Sequence, residues 1–395
     1  MTDTTDAVSA TTTRMTLPQP LPRARRAEVR ALTGLRGIAA LLVALYHINP
    51  ELRVDSVFGR IVGRGYLWVD VFFVLSGFVL ALNYGARFER GWSGEAWRDF
   101  LLRRVARIYP LYIALFAASA AYMAAGLGQT YAVTLLPYPT LHHPVEVGAA
   151  NLFMVQSWGV GPSFDGTAWS LSAEWAAYLL FPLLAGLALF GRGRTALALA
   201  LLAAASLVAT VLLTHADGEG HSGALDAYDG RTIEPILRCL GGFVMGLLMF
   251  RLAQAGRLRD WLARDDVLAA IIALVVIGFA FAPEDLWIYP LFPLLVLGLY
   301  GNRGRIARAL GCGAVYWLGL VSYSLYLVHP YLVLPKRELA RLLLGALTPA
   351  AADFTASLAI WAAVLFLSGA SYRLIEEPGR RALNRATRNW TKRLA

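Results

Sequence analysis

An arginine and a histidine lie eleven residues apart in the apolar segment LTGLRGIAALLVALYHI, residues 32–48. In a helix, eleven steps complete about three turns, so Arg36 and His47 share one face and are separated by roughly 16 Å along the axis. Histidine can take a proton from a hydroxyl near neutral pH, and arginine can bind a phosphate or a carboxylate. The structural alternatives are an arginine that anchors the helix end and a histidine that hydrogen-bonds a neighbouring helix.

The composition indicates a membrane protein. Of the 395 residues, 57% are hydrophobic and 16% are charged, whereas an ordinary soluble domain is about one quarter charged. Apolar stretches of bilayer length recur along the chain, so we predict an all-α polytopic membrane protein, a bundle of about ten transmembrane helices, rather than a large soluble helical enzyme. The predicted spans are 34–49, 66–84, 108–127, 168–190, 195–213, 233–250, 265–282, 286–300, 312–334 and 353–372.

The basic residues predict the orientation of the chain. The formal net charge is +10, and most of the 36 Lys and Arg residues fall in segments that share one side of the predicted bundle. The positive-inside rule then places both termini in the cytoplasm. Lys336 and Arg337 break the rule locally, because this orientation puts them outside. The basic residues are assigned to topology, and no nucleic acid partner is predicted.

Three regions are predicted. Residues 1–30 form a disordered polar cytoplasmic arm, residues 31–381 the transmembrane domain, and residues 382–395 a basic cytoplasmic tail. Residues 149–160 are apolar but too short to cross alone, so a half-span or re-entrant stretch is expected there. The acidic, histidine-containing segment 214–235 is expected to be a flexible solvated loop, since its spacing matches no metal-ligand pattern.

Five further motifs, together with Arg36 and His47, indicate a resemblance to a known family over residues 31–381. They resemble the acyltransferase 3 family of integral-membrane O-acyltransferases. The motifs are GYLWVDVFFVLSGFVL (65–80), RRVARIYPLY (103–112), GTAWSLSAEWAAYLLFPLL (166–184), SYSLYLVHPYL (322–332) and YRLIEEPGRR (372–381).

The resemblance implies an enzyme of the inner membrane. Such an enzyme moves an acetyl or other short acyl group from cytoplasmic acyl-coenzyme A to a hydroxyl of a cell-surface or exported polysaccharide, with acetyl-coenzyme A as the expected donor and no metal. The family's Arg-x10-His pair matches Arg36 and His47, which makes His47 the expected catalytic base. Its Arg-x-x-Arg pair matches Arg104 and Arg107, so these arginines and Arg36 are expected to bind the phosphates of coenzyme A. A small-molecule acceptor such as an antibiotic sugar is the alternative, and a secondary transporter is a remote one.

The motif WSLSAEW supplies further candidates. A carboxylate inside a span is costly unless it is paired or faces a cavity, so Glu174 is predicted to be functional and could orient His47. Three neighbouring side chains are candidates for binding the acceptor, although belt and packing roles are the alternatives. They are Trp169, Ser170 and Ser172.

Other polar residues in the spans remain open between structure and function. Asp70 is interpreted either as an interfacial cap or as a partner of His47 that assists catalysis. His329 and Tyr326, three residues before it, are predicted to share a helix face and to pack with hydrogen bonds rather than act in catalysis. Arg238 follows Glu234 by one turn, so a salt bridge between them is expected.

Overall fold

The computed structural model describes residues 30–125, 144–217, 222–228 and 230–394. Within these ranges the regular structure is helical and contains no strand, which confirms the all-α prediction. The predicted N-terminal arm lies outside the described residues except for Arg30, which begins the first helix. Residues 382–394, predicted as a basic tail, continue the last helix.

Sixteen α-helices follow one another along the described chain, with short 3₁₀ and π turns between some of them. They are α1 (Arg30–Ile48), α2 (Val57–Gly63), α3 (Trp68–Tyr84), α4 (Gly94–Ala124), α5 (Pro144–Leu152), α6 (Trp169–Ala185), α7 (Gly193–Asp217), α8 (Glu234–Ala255), α9 (Arg257–Leu262), α10 (Asp265–Phe281), α11 (Leu291–Gly301), α12 (Arg305–Leu310), α13 (Gly313–Val328), α14 (Pro330–Leu343), α15 (Pro349–Ser371) and α16 (Glu377–Leu394).

Seven helices in the described residues are long and apolar enough to cross a membrane. They are Arg30–Ile48, Gly65–Phe88, Gly94–Tyr122, Trp169–Phe190, Gly193–Ala216, Glu234–Ala255 and Pro349–Thr387. The pair α13 and α14, bent by 70°, brings the number to eight if it forms one span, and Asp285–Gly301 is a shorter apolar helix. Each predicted span overlaps a helix, but the count of ten is not confirmed.

The predicted continuous span 312–334 is interrupted. Helix α13 ends at Val328, and α14 begins at Pro330 in a different direction. Proline has no N–H to donate to the preceding turn and its fixed φ suits the first position of a new helix, so it ends one helix and starts another. His329 lies at the junction.

Small residues bring the central helices into backbone contact. A Cβ atom on Gly37 of α1 would lie 2.5 Å from the backbone N of Gly319 in α13, and one on Gly77 of α3 would lie 2.0 Å from the backbone O of Phe243 in α8. Such close approach is how membrane helices gain van der Waals contact without a hydrophobic driving force. The α1–α13 and α3–α8 pairs therefore fix the relative positions of the side chains they carry.

The segment predicted to be a flexible solvated loop is partly buried. In its described part, Ala224, Leu225 and Ala227 are buried, and Asp226 accepts a hydrogen bond of 3.1 Å from the Tyr46 hydroxyl. The prediction is wrong for these residues, because Ala224 and Leu225 belong to a buried apolar cluster and the backbone N–H of Leu225 donates to Asp285 Oδ2 at 2.9 Å. In the segment 149–160, α5 ends at Leu152 and an irregular stretch with buried side chains follows.

Lys336, one of the two basic residues that break the positive-inside rule, is buried in an ion-pair network. Its Nζ lies 2.6 Å from Glu51 Oε1 and 3.0 Å from Asp353 Oδ1, and its side chain is 3% exposed. Burial opposes the ionisation of Glu51, but hydrogen bonds from Lys336 and Asn49 outweigh it and hold the pKa of Glu51 below its usual value. The charge of Lys336 is thus balanced locally by two carboxylates.

We predict that Lys336→Ala lowers the thermal stability of the protein in detergent. The substitution leaves two carboxylates facing each other without their cation, at a cost of about 1–3 kcal/mol because both are partly exposed. Arg337→Ala is the matched control, since Arg337 is exposed. Thermal unfolding of both variants provides the measurement, and equal melting temperatures would contradict a stabilising role for the network.

Candidate active site

A cavity of about 160 Å³ opens between α1, α3, α4, α6 and α13. Four charged side chains line it, and the α3 wall is mostly apolar. The charged residues are Arg36, Arg104, Arg107 and Glu174. All four are predicted site residues, so the structure brings together side chains from three helices that the sequence only suggested separately.

Arg104 is held among aromatic rings and keeps one unsatisfied donor. Its guanidinium lies over the rings of Tyr84, Phe100 and Tyr178, at 5.3, 5.9 and 6.0 Å from their centroids, and its Nη2 donates to the Tyr84 hydroxyl at 3.2 Å. Its Nε is buried and has no hydrogen-bond partner. A partly buried guanidinium whose buried Nε has no partner, beside a cavity, is suited to an anionic ligand.

Arg107, in contrast, has a carboxylate partner. It forms an ion pair with Glu376, which is fully buried and also accepts a hydrogen bond of 2.7 Å from the Ser324 hydroxyl. Glu376 belongs to the C-terminal motif YRLIEEPGRR, so the pair joins α4 to the far end of the chain. Arg107 lines the cavity with most of its charge already compensated.

Glu174 lies among the arginines. Its carboxylate interacts electrostatically with Arg104 and Arg36, and the hydroxyls of Ser76 and Tyr178 lie close to it. Arg36 in turn donates to the Ser322 hydroxyl at 3.4 Å. Sequence reasoning allowed Glu174 to orient His47, but no hydrogen bond joins the two residues. Glu174 is instead placed where it can order the arginine side chains.

His47 contacts a second histidine. Its Nδ1 lies 3.0 Å from the carbonyl oxygen of Val43, one turn earlier, and 3.2 Å from Nε2 of His329. The rings are 5.2 Å apart between centroids. A carbonyl oxygen only accepts hydrogen bonds, so we assign the proton of neutral His47 to Nδ1. Nε2 of His47 then carries a lone pair and can act as a base.

Tyr326 connects the cavity with the histidine pair. Neither His47 nor His329 lines the cavity, but Tyr326 does, and its ring centroid is 5.9 Å from that of His329. Its hydroxyl is hydrogen-bonded to the Ser170 hydroxyl at 2.8 Å and donates to the Thr167 carbonyl at 3.1 Å. Tyr326 therefore lines the cavity and contacts His329, which in turn contacts His47.

Asp70 forms a buried salt bridge with Arg238. Two guanidinium nitrogens, Nε and Nη2, donate to its carboxylate at 3.0 and 2.6 Å, and both side chains are fully buried. The predicted pair of Arg238 with Glu234 is wrong, because the guanidinium reaches across to α3 rather than along its own helix. Asp70 lies in the first turn of α3, and its partner is Arg238 rather than His47, to which no hydrogen bond joins it.

The three candidate acceptor-binding residues occupy different environments. Ser170 lines the cavity. The buried hydroxyl of Ser172 accepts a hydrogen bond of 3.0 Å from the backbone N–H of Ser157. Trp169 packs against Phe73 at 6.1 Å between centroids and lies under Arg238. Only Ser170 among them faces the cavity.

Two residues at the site were not assigned to it from the sequence. Tyr326 and His329 were interpreted as packing residues of the motif SYSLYLVHPYL. Their spacing of three predicts a shared helix face, but it does not show which other helix that face meets. In the described residues no group of three His, Cys, Asp or Glu side chains could hold a metal ion.

A family model and several known proteins match this chain. The model described as "Acyltransferase domain", of the acyltransferase 3 family, matches residues 29–371. Acyltransferase MdmB of Streptomyces mycarofaciens is 37% identical over 170 residues, which are 40% of this chain and 40% of that protein. Putative peptidoglycan O-acetyltransferase YrhL of Bacillus subtilis is 26% identical over 344 residues, 79% of this chain and 50% of that protein.

A further relative is protein 2 in the picA locus of Rhizobium radiobacter, 35% identical over 152 residues, which are 38% of this chain and 71% of that protein. O-acetyltransferase OatA of Staphylococcus aureus is 23% identical over 319 residues, 75% of this chain and 49% of that protein. The chain thus matches about half or less of the length of MdmB, YrhL and OatA. No solved structure matches it.

We predict that the Asp70–Arg238 pair is required for stability. Asp70→Leu or Arg238→Met alone should lower the free energy of unfolding by about 3–5 kcal/mol, because each leaves an uncompensated buried charge. The double variant should recover much of that loss, since it removes both charges. Thermal unfolding of the three variants in detergent tests this prediction. A double variant less stable than both single variants would contradict it.

Proposed function

This chain belongs to the acyltransferase 3 family of membrane O-acyltransferases, and we propose that it moves an acetyl or other short acyl group from cytoplasmic acyl-coenzyme A to a hydroxyl of a cell-surface or exported polysaccharide. The inner membrane is the proposed location, with the arginine-lined cavity facing the cytoplasm. The observation that carries the proposal is the arrangement of one helix, α1, which presents Arg36 to this cavity and His47 to a second histidine three turns away.

The cavity supports a coenzyme A thioester as the donor. Coenzyme A carries several phosphates, and guanidinium groups bind phosphate through paired hydrogen bonds. Arg104 brings a buried donor atom without a partner, and Arg36 lies beside it. Arg107 contributes less to phosphate binding because Glu376 compensates its charge. The apolar α3 wall suits the thin pantetheine arm.

His47 supplies the base. The acceptor hydroxyl gives its proton to Nε2 of His47 while its oxygen attacks the thioester carbonyl, forming the carbon–oxygen ester bond. The carbon–sulfur bond then breaks, and the imidazolium returns the proton to the departing thiolate. Acyl-coenzyme A and an alcohol are thereby converted into an ester and free coenzyme A, with no oxidant or metal needed.

Tyr326 controls access of the donor to His47 in this mechanism. The ring of Tyr326 lines the cavity and lies beside His329, so it separates the cavity from the histidine pair. A turn of this side chain, which breaks its hydrogen bonds to Ser170 and Thr167, opens the path.

The acceptor proposal is supported by the relatives. YrhL is named as a putative peptidoglycan O-acetyltransferase and OatA as an O-acetyltransferase. The proposed base, His47, lies near the C-terminal end of α1, three turns away from Arg36. This separation is consistent with acyl transfer to a glycan hydroxyl outside the cytoplasm. The acyl group then crosses the membrane as part of the reaction, and no free acyl donor has to be exported.

We predict that His47→Ala abolishes acyl transfer. Purified protein in sealed vesicles receives acyl-labelled coenzyme A on the Arg104 side, and free thiol and labelled product are followed with a glycan acceptor on the other side. The loss should be at least about 100-fold, the usual contribution of general-base catalysis. His215→Ala is the control, because His215 is an exposed histidine on α7. Wild-type activity in His47→Ala would falsify the assignment of the base.

We also predict that Arg104→Ala raises KM for acyl-coenzyme A about tenfold, the equivalent of one hydrogen bond to a charged group, with little change in kcat. Arg103→Ala is the neighbouring control, because Arg103 is partly exposed and pairs with Asp99. Initial rates over a range of donor concentrations give both constants. An unchanged KM in Arg104→Ala would remove this residue from the donor site.

A further inference from the structure

The two histidines make the same hydrogen bond along their own helices. Nδ1 of His47 faces the carbonyl oxygen of Val43 at 3.0 Å, and Nδ1 of His329 faces the carbonyl oxygen of Leu325 at 3.2 Å. Each carbonyl lies four residues before its histidine. Because carbonyl oxygens only accept, both rings in their neutral form carry the proton on Nδ1.

This tautomer gives the contact between the rings a direction. Nε2 of His329 has a lone pair, and it lies 3.2 Å from Nδ1 of His47. The Nδ1–H of His47 is therefore shared between two acceptors, the Val43 carbonyl and the His329 ring. The opposite tautomer of His47 would place a lone pair against both acceptors, so the surroundings select the one in which Nε2 is the free base.

We propose that His329 is a positioning residue for His47: it holds the His47 ring in the orientation and tautomer that leave Nε2 as the base. This inference rests on the proposed function, because it assigns a partner to the proposed base. His329 does not touch the acceptor or the thioester. It occupies the place that a carboxylate takes beside the histidine of a Ser-His-Asp triad, where the partner fixes tautomer and orientation.

A neutral acceptor is suited to this position. His329 is fully buried, and its surroundings include the aromatic ring of Tyr326. An ionised carboxylate here would need a cation or several donors to offset its desolvation. The imidazole of His329 accepts from His47 without adding a charge. When Nε2 of His47 takes up a proton in the reaction, the same lone pair stabilises the imidazolium through its Nδ1–H.

The break between α13 and α14 places His329. Its backbone N–H still bonds to the Leu325 carbonyl at 3.1 Å, as the last step of α13, and Pro330 then starts α14 at an angle of 70°. The same carbonyl also receives the Nδ1–H of the ring. Both hydrogen bonds lock the ring of His329 to the rigid end of α13, whose close contact with α1 fixes its distance from His47.

Two variants of nearly equal size test the proposal. In His329→Gln, the side-chain amide oxygen can occupy the position of Nε2 and accept from His47. In His329→Asn, the shorter amide can still donate to the Leu325 carbonyl but no longer reaches His47. We expect His329→Asn to lower kcat about 10- to 100-fold with KM for acyl-coenzyme A within a factor of about two. His329→Gln should retain kcat within about threefold of wild type, because its amide oxygen still accepts the hydrogen bond from His47.

The outcomes separate this inference from the proposed function. A wild-type kcat in His329→Asn would overturn the positioning role. An equal loss of kcat in His329→Asn and His329→Gln would also overturn it, because that result would indicate that His329 acts only in packing. His329→Leu, which fills the space without a polar atom, repeats the comparison if the asparagine variant is unstable, and should lose kcat to the same extent. If His47→Ala is as active as wild type, the proposed base itself fails. If His47→Ala is inactive while His329→Asn is normal, only the present inference fails.

Discussion

Every charge inside this apolar bundle has to be compensated, and that requirement determines which helices contact which. Burying an ionised group without a partner is prohibitively costly, and so the chain brings Asp70 to Arg238 and Glu376 to Arg107 from distant positions. The charge of Lys336 is likewise compensated by two carboxylates, those of Glu51 and Asp353. The first two pairs tie α3 to α8 and α4 to the C-terminal motif, so they help to hold two of the helices that line the cavity.

The same requirement separates structural from functional charges. An arginine whose charge is compensated by a carboxylate of the protein binds an anionic ligand weakly. This is true of Arg238, which pairs with Asp70, and largely true of Arg107, which pairs with Glu376. Arg104 shares the carboxylate of Glu174 with Arg36, and it is otherwise held by aromatic rings, which stabilise a cation without neutralising it. Its buried Nε has no acceptor in the protein. An anionic group of a ligand is the natural partner for such a side chain, whereas the histidine pair avoids a buried charge altogether.

Local spacing allowed part of this to be predicted. Helix type, the apolar spans and the common face of Arg36 and His47 follow from periodicity, and the family motifs mark Arg104 and Glu174. Pairs between helices were missed, because hydrogen bonds such as that of His47 with His329, 282 residues apart, leave no periodic signal. The predicted pair of Arg238 with Glu234 was wrong for the same reason, because contacts between helices leave no periodic signal in the sequence. Glu234 is one turn away in sequence, but the buried carboxylate of Asp70 lies across the helix interface.

The pairing of Arg107 with Glu376 also has a consequence for biosynthesis. The two residues are 269 positions apart, and the chain is made from its N-terminus. Helix α4 must therefore enter the membrane long before its counter-charge exists, and Arg107 stays in contact with water or with the insertion machinery until the C-terminal motif arrives. A ribosome that stops before residue 376 leaves a nascent chain whose Arg107 has no Glu376 to pair with.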